Sequence, residues 1–296
     1  FMSEFGFQSF PSIETINYIN QNDSVNIYTN AMKSHQKHSR GFQLIEEYMA
    51  RDHKVSKKDE DYIYLSQLLQ AKGIVMGIEA HRRAKPYNMG TLFWQLNDCW
   101  PAISWSSIDF FGNWKALQYK AKHAFENALI SSRIQNDSIH TFIINDTYKS
   151  IQDDLVLELQ DYNGKVVWSG TKKVNVKPNS SEEFYNLPIS NYDRTSLVLV
   201  VKFNQNESLF YLDKPKNLKL LQGEIIKSIT KTKDGYSIQL TTTVLQKDVF
   251  LFSNSKGHFS DNFFDILPNE TKTIHFKTTA KSINDLQIKS LNLVHN

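Results

Sequence analysis

The spacing of apolar residues changes near residue 130. Before that point they recur every three or four residues, the period of an amphipathic helix. A short apolar run, MGTLFWQLND at residues 89–98, is predicted to be a buried strand, and the polar residues 21–39 a loop. The predicted helices are Ser12–Ile19, Gly41–Arg51, a long helix from an N-cap at Ser56 to about Arg83, and Trp114–Ile130.

After residue 138 apolar and polar residues alternate, which is the period of a strand. Asn163-Gly164 and Asp234-Gly235 lie between such runs and predict hairpin turns. The final run, SLNLVHN, is also predicted to be a strand. A short charged stretch around Pro215 is typical of a linker, so two sets of strands follow one another, each long enough for a small antiparallel sandwich. We therefore predict three domains, at residues 1–130, 131–215 and 216–296.

Composition narrows the functional classes. The net charge is +3 over 296 residues, too small to indicate binding to nucleic acid. Cys99 is the only cysteine, so an internal disulfide or a cysteine-rich zinc site is excluded. The sequence contains no apolar run of about 18 residues, so no membrane span is predicted.

Two stretches carry residues suited to catalysis. In FMSEFGFQSF, Glu4 stands among aromatic residues and is followed closely by Gly6. A carboxylate at the end of an apolar strand is a common way for a barrel enzyme to present a catalytic group. An ordinary glutamate near a chain end is the alternative interpretation.

The second stretch is GTLFWQLNDCWPAISWSSIDFFGNWKAL, at residues 90–117. Its tryptophans are mixed with amides and carboxylates, a combination that binds sugar rings and their hydroxyls. For any one tryptophan, core packing is the usual role. The four tryptophans are Trp94, Trp100, Trp105 and Trp114.

Together with HQKHSRGFQLIEEYMARD, EAHRRAKPYNMG and GHFSDNFFDILPNETKTIHF, these stretches closely resemble the β-mannosidases of glycoside hydrolase family two. The resemblance implies a multi-domain α/β plus all-β fold: the C-terminal part of a (β/α)₈ barrel, followed by two immunoglobulin-like β-sandwich domains. It also implies a retaining exo-glycosidase that releases terminal β-mannose. No metal and no organic cofactor is implied, because two carboxylates suffice for this reaction.

The resemblance assigns roles to particular residues. Glu4 matches the nucleophile at the end of the seventh barrel strand, and Trp94 matches a tryptophan that lines the pocket for the terminal mannose. Asn97, Asp98 and Trp100 belong to the same motif and are expected to support substrate binding. No role is carried onto His81-Arg82-Arg83, although it also fits the family pattern.

One departure from the family concerns the second carboxylate. Retaining glycosidases use a nucleophile and an acid/base residue about 5–5.5 Å apart. The family supplies the acid/base from an Asn-Glu pair upstream of the nucleophile, whereas the pairs here, Asn206-Glu207 and Asn269-Glu270, lie far downstream. We therefore expect the chain to be a fragment without the acid/base and the first six barrel strands, and to be inactive alone.

The implied partners are β-mannoside oligosaccharides or glycans, together with the N-terminal part of the same enzyme. Neither nucleic acid nor a membrane is an expected partner. Two alternatives stay open: a related exo-glycosidase of the β-galactosidase or β-glucuronidase type, and a non-catalytic glycan-binding fragment. The compartment is undetermined, with a secreted, periplasmic or lysosomal location favoured over a cytoplasmic one.

Overall fold

The computed structural model describes residues 1–22 and 25–295. Its helices are α1 (Ile13–Asn20), α2 (Asn30–Ser34), α3 (Gly41–Asp52), α4 (Asp59–Arg83), α5 (Ala116–Ala124) and α6 (Leu291–Val294). Its strands are β1 (Ala128–Gln135), β2 (Ser138–Asn145), β3 (Ile151–Asp161), β4 (Val166–Val176), β5 (Ser180–Pro188), β6 (Leu197–Phe203), β7 (Asn206–Tyr211), β8 (Ile226–Thr232), β9 (Gly235–Thr241), β10 (Gln246–Phe252), β11 (Gly257–Phe259), β12 (Phe264–Ile266), β13 (Thr271–Thr278) and β14 (Gln287–Lys289).

Helices α1, α3 and α4 confirm three of the predicted helices. The long helix α4 ends at Arg83, as predicted, but it begins at Asp59 and not at an N-cap on Ser56. The Ser56 hydroxyl accepts the backbone N–H of Lys58 at 3.1 Å, so it orders the turn before the helix. Acidic residues fill the first turn of α4 and basic residues fill its last turn, both of which favour the helix dipole.

Two predictions in the first half are wrong. The predicted loop at 21–39 contains the short helix α2, whose Thr29 hydroxyl accepts the backbone N–H of Met32 at 3.1 Å. The predicted helix at 114–130 stops at Ala124, and β1 follows. Strand β1 pairs antiparallel with β2 along its whole length, which satisfies backbone groups that a longer helix would have satisfied locally.

Four sheets form the second half, with the orders β1-β2-β5, β4-β3-β6-β7, β11-β13-β9-β8 and β12-β10-β14. Both predicted hairpin turns are present. Gly164 has a φ of +86°, a conformation that favours glycine. In the second hairpin Thr232 pairs with Gly235, so the loop residues are Lys233 and Asp234, one position earlier than predicted.

The C-terminal strands enclose a core of their own. Alternate residues of β9 and β13 point inward, and Ile238 and Ile274 are at most 1% exposed. The rings of Phe259 and Phe276 stack in this core, with centroids 4.1 Å apart. The predicted final strand is wrong, because β14 is followed by helix α6.

Two compact units divide the chain. One comprises Phe1–Leu155, Lys172–Ser190 and Lys202–Asn206, and the other comprises Val156–Thr171, Asn191–Val201 and Glu207–Asn296. The first contains helices α1 to α5 and the sheet β1-β2-β5, and the second contains the C-terminal core. The boundaries at residues 130 and 215 remain predictions.

Candidate active site

Two extended segments lie side by side in parallel, one around Glu4 and the other around Trp94. The backbone N–H of Leu92 donates to the carbonyl oxygen of Met2 at 2.9 Å, and that of Trp94 donates to Phe5 at 2.8 Å. Residues distant in sequence are therefore neighbours. The fold brings the predicted nucleophile and the predicted pocket tryptophan onto adjacent stretches of backbone.

The prediction of a buried regular strand at residues 89–98 is wrong. The segment makes isolated bridges only, and Leu92, Trp94 and Leu96 are 56%, 49% and 54% exposed. On its other side the segment pairs with its own following loop, where the N–H of Ile108 donates to Leu96 at 2.8 Å. A loop satisfies the backbone of this segment, but it does not cover the alternate side chains.

Glu4 is exposed, and the residues after it explain why. The ring of Phe5 packs against Gly77 of α4, where a Cβ would lie 2.5 Å from it, and the ring of Phe7 packs against Gly73. Successive side chains of an extended chain point to opposite sides. Glu4 therefore faces away from α4, where a carboxylate is free to reach a ligand.

Gly6 lets the two segments come close together. A Cβ on Gly6 would lie 2.4 Å from the carbonyl oxygen of Trp94 and 3.0 Å from Cδ1 of Trp105. Backbone cannot yield at such a distance, so any larger residue would force the segments apart. The peptide bond between Trp94 and Gln95 is cis.

Asp98 is buried, with 6% of its surface exposed, and it organises the loop that follows Trp94. Its carboxylate accepts the hydroxyls of Ser104 at 2.9 Å and Ser106 at 2.6 Å. Asn97, by contrast, is exposed. The Asp98 carboxylate therefore binds groups of its own loop, whereas Asn97 is accessible to a ligand, and the expected substrate-binding role of both residues stays a prediction.

Trp100 packs against a different part of the chain from Trp94. Its ring stacks on His35 with centroids 4.7 Å apart, and the ammonium of Lys37 lies 4.8 Å from its centroid. The loop after α2 thus contacts the tryptophan that we expected to support substrate binding. Its predicted role stays a prediction.

Sequence reasoning did not choose Trp105 from the tryptophan cluster. Trp105 is half-buried beside Gly6, and its ring lies edge-on to His38 at 6.2 Å. His38 Nδ1 accepts the backbone N–H of Arg40 at 3.1 Å, which leaves Nε2 as the nitrogen that carries the proton in the neutral ring. The sequence shows the four tryptophans only as a cluster, because their spacing does not indicate which of them packs beside Gly6.

The described residues contain no group of three or more His, Cys, Asp or Glu side chains arranged to hold a metal ion. Cys99 is exposed on the loop after Asp98. None of the helices in the described ranges is long and apolar enough to cross a membrane.

Comparisons with known proteins show what this chain is similar to. A domain described as "Mannosidase Ig/CBM-like domain" matches residues 137–217, and one described as "Ig-fold domain", of the mannosidase type, matches residues 220–293. The β-mannosidase of Bos taurus is 27% identical over 95% of this chain. The crystal structure of the β-D-mannosidase from Dictyoglomus thermophilum superposes with a TM-score of 0.88 at 26% identity over 98% of the chain. Over nearly its whole length, this chain is similar to the β-mannosidases.

The likeness to the β-mannosidases extends to fungi, since β-mannosidase B of Aspergillus niger is 23% identical over 93% of the chain. The helix-rich part followed by two immunoglobulin-like β-sandwich domains confirms the predicted fold class. An exo-chitosanase from Amycolatopsis orientalis, at 16% identity and a TM-score of 0.71, shares the fold. The chain covers 36% of the bovine β-mannosidase and 37% of the D. thermophilum structure, about a third of each.

Proposed function

We propose that this chain supplies the nucleophile and one wall of the sugar pocket of a retaining exo-β-mannosidase. The observation that carries the proposal is the pairing of the Glu4 segment with the Trp94 segment through the 2.8 Å hydrogen bond between Trp94 and Phe5. An exposed carboxylate beside a half-exposed indole matches the needs of a site that binds one face of a pyranose and attacks its anomeric carbon.

In the proposed reaction an oxygen of Glu4 attacks the anomeric carbon while a second carboxylic acid protonates the departing glycosidic oxygen. This breaks the glycosidic bond and forms a mannosyl ester on Glu4. Water, deprotonated by the same second carboxylate, then attacks the anomeric carbon and releases mannose with its configuration retained. We propose that the second carboxylate comes from the part of the enzyme that its relatives have in addition to this region.

Trapping the covalent intermediate tests the role of Glu4. The full-length protein is incubated with a 2-fluoro-mannosyl fluoride, digested and analysed by mass spectrometry. We expect the label on the peptide that contains Glu4. Glu4→Ala should lower the turnover of nitrophenyl β-mannoside by several orders of magnitude, and azide should restore part of it as the inverted mannosyl azide. Glu60→Gln, at an exposed glutamate of α4, is the matched control.

Two results would contradict this assignment: label on another residue, or near-normal turnover in Glu4→Ala. A panel of nitrophenyl mannoside, galactoside, glucuronide and glucosaminide tests the sugar. We expect the mannoside to be preferred. If another glycoside is preferred, the assignment of Glu4 as nucleophile still stands, but the proposed substrate is wrong.

A further inference from the structure

Beneath the candidate site lies a lysine that the proposed reaction does not use. Lys115 is 1% exposed, and its ammonium donates to the hydroxyl of Ser9 at 2.9 Å. Lysine is rarely buried to this extent, because desolvating an ammonium is costly. Burial lowers the pKa of Lys115 to about 8, although the negative charges of Asp98 and Asp109 raise it.

Those two carboxylates organise opposite ends of the loop after Trp94. Asp98 accepts the hydroxyls of Ser104 and Ser106, as described above. Asp109 is 2% exposed and accepts the hydroxyl of Thr15 at 2.8 Å and the backbone N–H of Asn113 at 2.9 Å. Both carboxylates are buried, and both act electrostatically on the buried Lys115.

Ser9 connects the lysine to the segment that carries Glu4. The Ser9 hydroxyl also donates to Oε1 of Gln70 at 2.7 Å. The Gln70 amide in turn donates to the carbonyl oxygens of Phe7 at 2.8 Å and Trp105 at 3.0 Å. A short chain of hydrogen bonds thus runs from Lys115 to the backbone of Phe7, next to Gly6, and to the backbone of Trp105 in the loop after Trp94.

We propose that Lys115 is a positioning residue for the glycosidase site, the counter-charge that holds the Glu4 segment and the loop after Trp94 in their relative placement. The proposal rests on the proposed function, since the site it serves is that of the β-mannosidase reaction. Lys115 contacts neither Glu4 nor Trp94 and acts through Ser9, Asp98 and Asp109.

The charge on Lys115 should be lost in the mildly alkaline range. The charged groups that act on it are Asp98 and Asp109, while its neighbours on α4, Gln67 and Gln70, are uncharged amides. Because its pKa is about 8 in the folded chain and 10.5 ordinarily, the unfolded chain binds more protons between those pH values. The contribution of Lys115 to stability therefore rises with pH across this window, while the counter-charge to both carboxylates disappears.

Stability and the counter-charge therefore change in opposite directions with pH, and this distinguishes a positioning role of Lys115 from a purely stabilising one. We expect kcat of the full-length enzyme to fall above about pH 8 without a fall in melting temperature. Tryptophan fluorescence of the 296-residue chain should show a transition with a midpoint near pH 8, because Trp100 and Trp105 lie on the loop that the lysine holds. Lys115→Met should abolish the fluorescence transition and lower kcat at pH 7 at least tenfold, with a smaller change in KM. Lys122→Met, at an exposed lysine of α5, should behave as the unaltered enzyme.

The proposal is overturned if Lys115→Met keeps kcat within twofold, or if the unaltered chain shows no fluorescence transition between pH 7 and 9.5. Should Lys115→Met fail to fold, the titration of the unaltered chain decides alone. Should the full-length protein hydrolyse no β-mannoside, the proposed function fails, and the fluorescence titration still decides whether Lys115 controls the loop.

Discussion

Two regions of this chain have alternating apolar residues on extended backbone, yet their exposure differs. In β9 the alternate residues Ile238 and Leu240 are fully buried. In the segment beside Glu4 the alternate residues Leu92, Trp94 and Leu96 are about half exposed. Alternation assigns side chains to one face, but burial requires a second layer over that face. The sandwich contains its own second layer, whereas the candidate site is the face left open.

The largest expected effect on the free energy of unfolding comes from placing a charge on the buried face of β9. Ile238→Asp places a carboxylate among Leu251, Ile274 and other apolar side chains, and it should lower the free energy of unfolding by about 4 kcal/mol or more. Ile229 pairs directly with Ile238 but is 37% exposed, so Ile229→Asp is the matched control and should cost about 1 kcal/mol or less. Urea denaturation of the 296-residue chain measures both. Equal losses would show that β9 does not line a closed core.

An aromatic residue from each region gives an intermediate effect. Phe276→Ala removes a stacked ring that is 2% exposed and should cost about 3–5 kcal/mol of unfolding free energy. Trp94→Ala should cost about 1 kcal/mol, because half of the indole is already in water. In the full-length enzyme Trp94→Ala should lower kcat/KM for β-mannosides about tenfold, consistent with the loss of one stacking contact. A large loss of stability with unchanged kinetics would make Trp94 a core residue.

The smallest effect on stability is expected on the open face itself. The double variant Leu92→Ser and Leu96→Ser should change the free energy of unfolding by about 0.5 kcal/mol or less. Static light scattering should nevertheless show less self-association of the 296-residue chain, because contiguous exposed apolar residues favour aggregation. Tyr148→Ser provides the control, since Tyr148 is 97% exposed in a loop of its own. Unchanged scattering in the double variant would show that this face does not drive association.

Sequence patterns were most informative where one local signal decided the outcome. The repeat of leucines and isoleucines predicted α4 to its last residue, and both hairpins lie where glycine follows a polar turn residue. The same patterns gave the wrong secondary structure where hydrogen bonds to a distant segment determined it. The stretch FENALI continues a helical spacing, yet it enters β1 because β2 offers hydrogen bonds along its full length. SLNLVHN alternates like a strand but forms a short helix after β14.

The candidate site shows the same limits. Glu4 and Trp94 lie in two separate stretches of the sequence, and only the family resemblance assigns them to one site. Their adjacency depends on Gly6, whose missing side chain permits the approach of the Trp94 carbonyl. An aspartate such as Asp98 has a side chain suited to binding a sugar hydroxyl. In the structure, however, Asp98 is buried and binds serine hydroxyls, whereas Asn97 is exposed. Lys115 had no sequence signal, since a lysine in an amphipathic pattern is ordinarily assigned to solvent.

The sequence by itself determined the periods of its apolar residues, and with them the helix-rich first half, the strand-rich second half and the turns between strands. These follow from local rules, because side-chain period and glycine conformation depend on neighbouring residues alone. Only the tertiary structure decided which alternating segment is buried, which tryptophan segment pairs with the Glu4 segment, and that the ammonium of Lys115 is buried against the Ser9 hydroxyl. Those outcomes depend on desolvation and on hydrogen bonds between segments far apart in the chain, and they exist only once the segments have come together.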